Sequence, residues 1–241
     1  MRSAEARARD ASKQLYFELA SGASGLALAL FMWGHMVLVG SILTGERGFN
    51  WLATMLEDYY IAQPTVFVIL VLFFVHAVLA SRKIPAQLAE RKQMIELGRD
   101  LKRSNGFEPH RESMLWIWQV RTGMVILALG SFHLILLGID VLTPLFGSGA
   151  GIEAVTSIAR VRAGLWLPYA ILLVCVEFHA GVGLYRLAVK WGAGAFLARG
   201  TLRVLEHIML WFFLGLGVVV LLVLAEVLPP PLTFLLSEPM P

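Results

Sequence analysis

Four histidines lie where histidine is costly. His35, His76, His133 and His179 each sit well inside a long apolar run, one per run; His110 lies in a polar stretch and His207 near the start of a fifth run. An ionisable side chain in hydrocarbon costs a few kcal/mol, so four of them call for a chemical reason. Imidazole offers two: a hydrogen bond between helices, or a bond from a ring nitrogen to a metal. One carboxylate shares this setting, Glu177, two residues before His179. A second acidic group, Glu57-Asp58, lies in WLATMLEDYYIAQP, an apolar, aromatic and acidic stretch between two runs. The single cysteine, Cys175, excludes a disulfide framework and a cysteine-held iron–sulfur or zinc site within the chain.

The elements that carry these residues read as membrane spans. The 241 residues are 58% hydrophobic and 15% charged, with a mean hydropathy of +0.72; a water-soluble domain carries about 25% charge. A span takes about 20 residues. Five runs qualify: Gly22–Leu43 (span I), Pro64–Arg82 (span II), Gln119–Asp140 (span III), Gly164–Leu187 (span IV) and Val204–Leu228 (span V). The fold class is therefore an all-α membrane protein, a five-helix bundle in which residues 1–241 form one transmembrane domain. Pro64 suits the first turn of span II, where its missing N–H costs nothing, and Pro229-Pro230-Pro231 is expected to stop span V. The stretch Arg2 to Glu18 is no signal peptide, because the apolar run begins only after it and is too long; it reads as a short amphipathic surface helix.

Basic residues orient the bundle. Of the 20 Lys and Arg, sixteen fall in the N-terminal arm, the loop between spans II and III and the segment between spans IV and V; three, Arg47, Arg160 and Arg162, fall on the other side, and Arg121 lies at the inner mouth of span III. The positive-inside rule then puts the N-terminus in the cytoplasm and the C-terminus in the periplasm of a bacterial inner membrane. The net charge of +3 gives no reason to expect a nucleic-acid partner; the surroundings are lipid. The loop from about Ser81 to Leu115, with AQLAERKQMIELGRDLKRSNG, serves either as a docking surface for a cytoplasmic partner or as a solvated connector.

With that orientation the histidines fall at two depths. At 1.5 Å of rise per residue, His35 and His133 come out roughly 4–5 Å outside the membrane centre and His76 and His179 roughly 4–5 Å inside it. Two levels of paired imidazoles suit bis-histidine ligation of two haems, held by side chains on facing helices. Gly34, Gly130, Ser131, Cys175, Gly181 and Gly183 would let a flat macrocycle approach the backbone. Zinc or copper would need its ligands clustered at one depth. Two residues along a helix are about 200° apart, so Glu177 points away from the metal that His179 would bind; it suits a proton carrier or a protonated hydrogen-bond donor. Glu57, near the outer level, could take a proton from a quinol headgroup. Trp116, Trp118, Trp191 and Lys190 fit an interfacial belt at the inner boundary. Lys190 could meet a haem propionate there, and Arg160 and Arg162 could do so outside.

At these residues the chain resembles a known family, the dihaem cytochrome b membrane anchor of quinol:fumarate reductases and succinate:menaquinone oxidoreductases. The likeness is greatest to the single large anchor of the epsilon- and delta-proteobacterial type. The blocks are GLALALFMWGHM around His35, VHAVLASRKIP around His76, LWIWQVRTG with LGSFHL around His133, and VEFHAGVGLYRLAVKWG around His179. The resemblance implies two b haems, with His35 and His133 binding the iron of the distal one and His76 and His179 that of the proximal one. It implies Glu57 as the menaquinol-site carboxylate and Glu177 as the transmembrane proton relay. It carries propionate contacts to Trp116, Lys190 and Ser21, and the distal arginine to Arg160 or Arg162. It implies a flavoprotein subunit and an iron–sulfur subunit on the cytoplasmic face, and complexes paired as dimers of heterotrimers. Two other readings remain open at this point: the haem b subunit of a hydrogenase or formate dehydrogenase, and a haem-free anchor or transporter.

Overall fold

The computed structural model describes residues 4–82, 84–85, 89, 92–93, 111–143, 145–146 and 152–236. Most of the loop between spans II and III, including the expected docking segment and His110, lies outside the described residues. The elements are α1 (Ala4–Gly40), α2 (Glu46–Asp58), α3 (Ala62–Ser81), α4 (Arg111–Leu142), α5 (Ala154–Arg160), α6 (Trp166–Lys190) and α7 (Arg199–Leu224), with short 3-10 turns at Ser41–Thr44, Ala193–Ala195 and Thr233–Leu236. Among the described residues, five helical stretches are long and apolar enough to cross a membrane: Asp10–Thr44, Ala62–Ser81, Met114–Asp140, Ala154–Lys190 and Arg199–Leu224. They match spans I to V in order. The chain is a multi-pass, all-helical membrane protein.

The boundaries differ from the sequence expectation in instructive ways. Arg2 to Glu18 was expected to form a separate surface helix; from Ala4 onward it is the first part of α1, which runs unbroken for 37 residues. That is about 55 Å of helix, against a hydrocarbon core of about 30 Å, so α1 projects well beyond the bilayer. The glycines that could have broken it are used for packing. A Cβ at Gly22 would sit 2.7 Å from the Trp191 ring, and one at Gly25 2.9 Å from Cε1 of His76. The projecting part is tied to its neighbours: Arg82 donates to Gln14 at 3.1 Å and stacks 4.0 Å over the Phe17 ring, while Lys190 pairs with Glu18.

Span V ends earlier than its proline run. α7 stops at Leu224 because Glu226 adopts a left-handed φ of 55°. Glu226 N–H then reaches Val223 O, and Val227 N–H reaches Leu222 O, the hydrogen-bond pair of a Schellman cap. Arg162 holds the Glu226 side chain at 2.5 Å. Span IV is longer than expected. α5 leads into α6 through one π-turn, Val161–Leu165, kinked at Gly164 with φ 99°, a conformation that favours glycine. Pro64 and Pro168 both fall in first turns, of α3 and α6, as their missing N–H groups allow.

Packing is uneven. α4 lies along α6, α6 along α7, and α1 along α3. α3 has no buried residue and is apolar all round, as a lipid-facing helix can be. The buried cluster gathers at one end of the bundle, where Ile42, Leu43, Phe49, Ala53, Ala154, Val161, Val220, Val223 and Leu224 meet. There α2 closes over the ends of α1, α5 and α7 like a cap.

Candidate functional site

The helices bring the four histidines together in two pairs. His35 of α1 and His133 of α4 have ring centroids 6.5 Å apart, toward the α2 end. His76 of α3 and His179 of α6 are 6.4 Å apart, toward the opposite end. These are the pairs expected from depth. Each pair joins two residues at one level on separate, facing helices.

The surroundings orient the rings. His179 Nδ1 lies 2.8 Å from the Gln119 backbone carbonyl. A carbonyl only accepts, so this nitrogen carries the proton and Nε2 is left with a free lone pair. His76 Nδ1 is 3.1 Å from Ser24 Oγ, whose own hydroxyl donates to the Ser21 carbonyl at 3.1 Å. Again Nδ1 is the donor and Nε2 remains free. Fixing one ring nitrogen so that the other can bind a metal is the usual outer-shell arrangement for metal-bound histidine. Room for the rings comes from across the helix interfaces: a Cβ at Gly25 or Gly123 would stand 2.9 Å from Cε1 of His76 or His179. The α2-side pair is held differently. His35 stacks on Phe31 with centroids 5.8 Å apart. His133 meets Tyr169 edge-on at 5.5 Å. His133 Nδ1 and Tyr169 Oη are both buried without a hydrogen-bond partner among the described residues.

The ring separations test what these pairs can hold. A metal–imidazole bond is about 2 Å and the ring centre lies roughly 1 Å further on, so two imidazoles on opposite sides of one ion put their centroids about 6 Å apart. Both pairs fit. Among the described residues no three His, Cys, Asp or Glu groups come together as a metal cluster. Each pair thus offers two nitrogens, which fit the axial positions of a haem, whose macrocycle would supply the other ligands, and do not make a tetrahedral zinc site.

The carboxylates sit apart from the rings. Glu177 is buried on α6, at 8% exposure. Glu57 is half-buried near the end of α2 and accepts the Ile152 N–H at 2.9 Å, while its neighbour Asp58 is exposed. Nearby, Asn50 accepts the Ala154 N–H at 2.8 Å, so α2 is latched to the start of α5 at two points. The structure separates the two candidate arginines. Arg162 is exposed and paired with Glu226. Arg160 is half-buried, its side chain 11% exposed, with Nε 2.9 Å from Asp140 and Nη2 3.2 Å from the Thr156 hydroxyl. At the opposite end, Trp116 is half-buried, Lys190 pairs with Glu18, and the Ser21 carbonyl anchors Ser24. Ser24, Gln119, Gly25, Gly123, Asp140 and Tyr169 were not singled out from the sequence. Of the small residues that were, Gly34 faces open space, Gly130 faces Phe73, Gly181 faces Glu206 and Gly183 faces Gln119.

Known proteins share this arrangement of sequence. The family model for the succinate dehydrogenase/fumarate reductase transmembrane subunit matches residues 90–224. The chain is 35% identical over 208 residues to the fumarate reductase cytochrome b subunit of Wolinella succinogenes, covering 81% of this chain and 75% of that protein. It is 33% and 34% identical to the protein of the same name from two strains of Helicobacter pylori, covering 81% of this chain and 74% of each. A five-span helical chain with this extent of likeness belongs to the family of succinate dehydrogenase/fumarate reductase transmembrane subunits.

Proposed function

We propose that this chain is the dihaem cytochrome b anchor of a fumarate reductase or succinate dehydrogenase complex in a bacterial inner membrane. In this reading it passes electrons between menaquinol and cytoplasmic iron–sulfur and flavoprotein subunits. The observation that carries the reading is the pair of imidazole couples, 6.5 and 6.4 Å between ring centroids, on four separate helices. His35 and His133 hold the distal haem, His76 and His179 the proximal one. The α2 end then faces the periplasm, in keeping with the basic residues concentrated at the other end. When bound, each haem supplies a one-electron carrier. Trp116, Lys190 and Ser21 lie at the end where proximal propionates would sit, and Arg160 at the distal end. The complexes associate as dimers of heterotrimers, following the family pattern.

The two carboxylates divide the proton work. Glu57 takes a proton from the quinol at the α2 end; a positioned base of this kind contributes about 10²–10⁴-fold in rate. Glu177 moves a proton across the span. An electron crossing inward works against the membrane potential by about 2.3 kcal/mol per 100 mV, and a proton moving with it cancels that charge. Glu177, buried midway along α6, is the carboxyl to which this reading gives that role.

The test is haem stoichiometry in the purified complex. A reduced-minus-oxidised spectrum should show b-type haem at two per chain. His35→Ala and His133→Ala should lose the same haem, and His76→Ala and His179→Ala the other, whereas His110→Ala should keep both. A wild-type complex without a b-type band, or loss of one shared haem by His35→Ala and His76→Ala, would overturn this reading.

A further inference from the structure

Asp140 stands in an unfavourable place. It lies in the last turn of α4 and is 6% exposed. A negative charge at a helix C-terminus opposes the helix dipole by about 0.3–1 kcal/mol, and burying a lone carboxylate costs several kcal/mol more. Both oxygens are nevertheless satisfied. Oδ2 accepts from Arg160 Nε at 2.9 Å, with Nη2 in ion-pair contact at the same distance, and Oδ1 accepts the Phe146 N–H at 3.0 Å. Neither α4 nor α5 needs this pair for its own helical bonds.

Arg160 is held by more than Asp140. Its Nη2 also reaches the Thr156 hydroxyl at 3.2 Å; that side chain is 1% exposed and donates in turn to the Glu153 carbonyl. A guanidinium has five N–H donors in a rigid fork. Nε and Nη2 are engaged here, which leaves the two N–H groups on Nη1 without a partner among the described residues. Asp140 stands seven residues after His133 on α4, two turns along the same face and about 10 Å up the helix, so the ion pair lies at the end of the bundle where His133 meets Tyr169. Arg162, two residues on, has no such position: it is 63% exposed, and its pairing with Glu226 is screened by the surroundings.

We propose that Asp140 is a positioning residue for the His35–His133 site: it fixes the Arg160 guanidinium with two N–H groups free for a haem carboxylate, and it balances the Arg160 charge, so that the pair sets the reduction potential of the haem bound there. This rests on the reading of His35 and His133 as haem ligands. In a low-dielectric site an uncompensated cation favours the reduced, more negative state of its neighbour, and an uncompensated anion disfavours it.

A redox titration of both haems in the purified complex tests this. Asp140→Asn should move the midpoint of one haem upward, the haem that His133→Ala removes, and leave the other in place. Arg160→Gln should move the same midpoint downward. The double variant should return it close to wild type, and Asp140→Glu should hold it there. An unmoved midpoint in both single variants with both haems bound, or an equal shift of both haems, would overturn the proposal. If Asp140→Asn does not accumulate, Arg160→Gln and the double variant carry the same test. Should His133→Ala remove no haem, the ligand reading itself fails, an outcome separate from any effect at Asp140.

Discussion

The two histidine pairs have nearly the same ring separation, 6.4 and 6.5 Å, yet almost nothing else about them is alike. At the His76–His179 pair each Nδ1 has an acceptor, Ser24 Oγ or the Gln119 carbonyl, and a glycine makes room for each ring. At the His35–His133 pair, His133 Nδ1 and Tyr169 Oη beside it have no partner among the described residues, and the half-buried Arg160 lies at the same end with Nη1 unengaged among them. The first arrangement is complete with its own ligands in place. The second has unmet polar capacity, and it lies under α2, which brings Glu57 to the same end of the bundle. A site that only passes electrons can be closed and rigid. Under the proposed function, a site beside which a quinol binds, loses protons and leaves needs unmet donors and acceptors. The hydrogen bonding of the two pairs differs in the sense that this reading requires.

The largest expected effect breaks function at one end alone. Glu57→Gln retains an oxygen that can accept the Ile152 N–H, so the latch to α5 should survive with both haems in place. Quinol-linked turnover should nonetheless fall at least about 100-fold, because the amide cannot take the proton. Fumarate reduction from an artificial donor feeding the cytoplasmic subunits should persist. Normal quinol oxidation in this variant would remove Glu57 from the site. Glu177→Gln should also keep both haems and lose most quinol-linked turnover. The wild type in vesicles should build no net potential. Full activity in Glu177→Gln, or a large potential in the wild type, would make Glu177 a structural group.

The next effect separates the pairs by packing. A Cβ at Gly123 or Gly25 would stand 2.9 Å from Cε1 of His179 or His76, closer than real side chains tolerate, so the ring must move. Gly123→Ala and Gly25→Ala should each lose or displace the haem of the His76–His179 pair. The other haem should keep its band and midpoint. Loss of both haems together, or of neither, would mean that the two sites are not independently packed.

How much of this was legible in the sequence follows from what hydrocarbon penalises. Five spans, four histidines and Glu177 stand out because apolar length and buried charge are costly in a membrane, and the cost is written in residue type. The pairing was legible too, because depth along a helix is simple arithmetic. Gln119 was not, since it serves His179 through its backbone carbonyl, which every residue has. Ser24 was not, since a serine in a span is cheap and common. The glycines that matter, Gly25 and Gly123, face their histidines across helix interfaces, whereas nearness in sequence had pointed to Gly34, Gly130, Gly181 and Gly183. Asp140 looked like the polar end of a span. Its bond to Arg160 spans a connection that periodicity does not describe. The end of α7 was assigned to the proline run, but Glu226 ends the helix earlier by turning left-handed.

The smallest effect sharpens the comparison most, because it tests whether the two anchors of the His76–His179 pair are of different kinds. Ser24→Ala removes the acceptor of His76 Nδ1, a hydrogen bond worth about 1 kcal/mol. That bond lends the imidazole basicity, which favours the oxidised metal. Without it the midpoint of this haem should rise by a few tens of millivolts, taking about 59 mV per tenfold change for one electron, with both haems retained. Gln119→Ala is the counterpart. It deletes the side chain that accepts from Arg186 at 2.6 Å but leaves the carbonyl that holds His179, so the midpoint should stay within a few millivolts of the Arg186→Ala variant, which lacks the same side-chain bond. A Ser24→Ala shift confined to the His76–His179 haem, with none from Gln119→Ala beyond that of Arg186→Ala, is the expected result. An equal shift in both haems would show that the midpoints answer to the bundle as a whole and that the hydrogen bonds to the ring nitrogens do not distinguish the pairs.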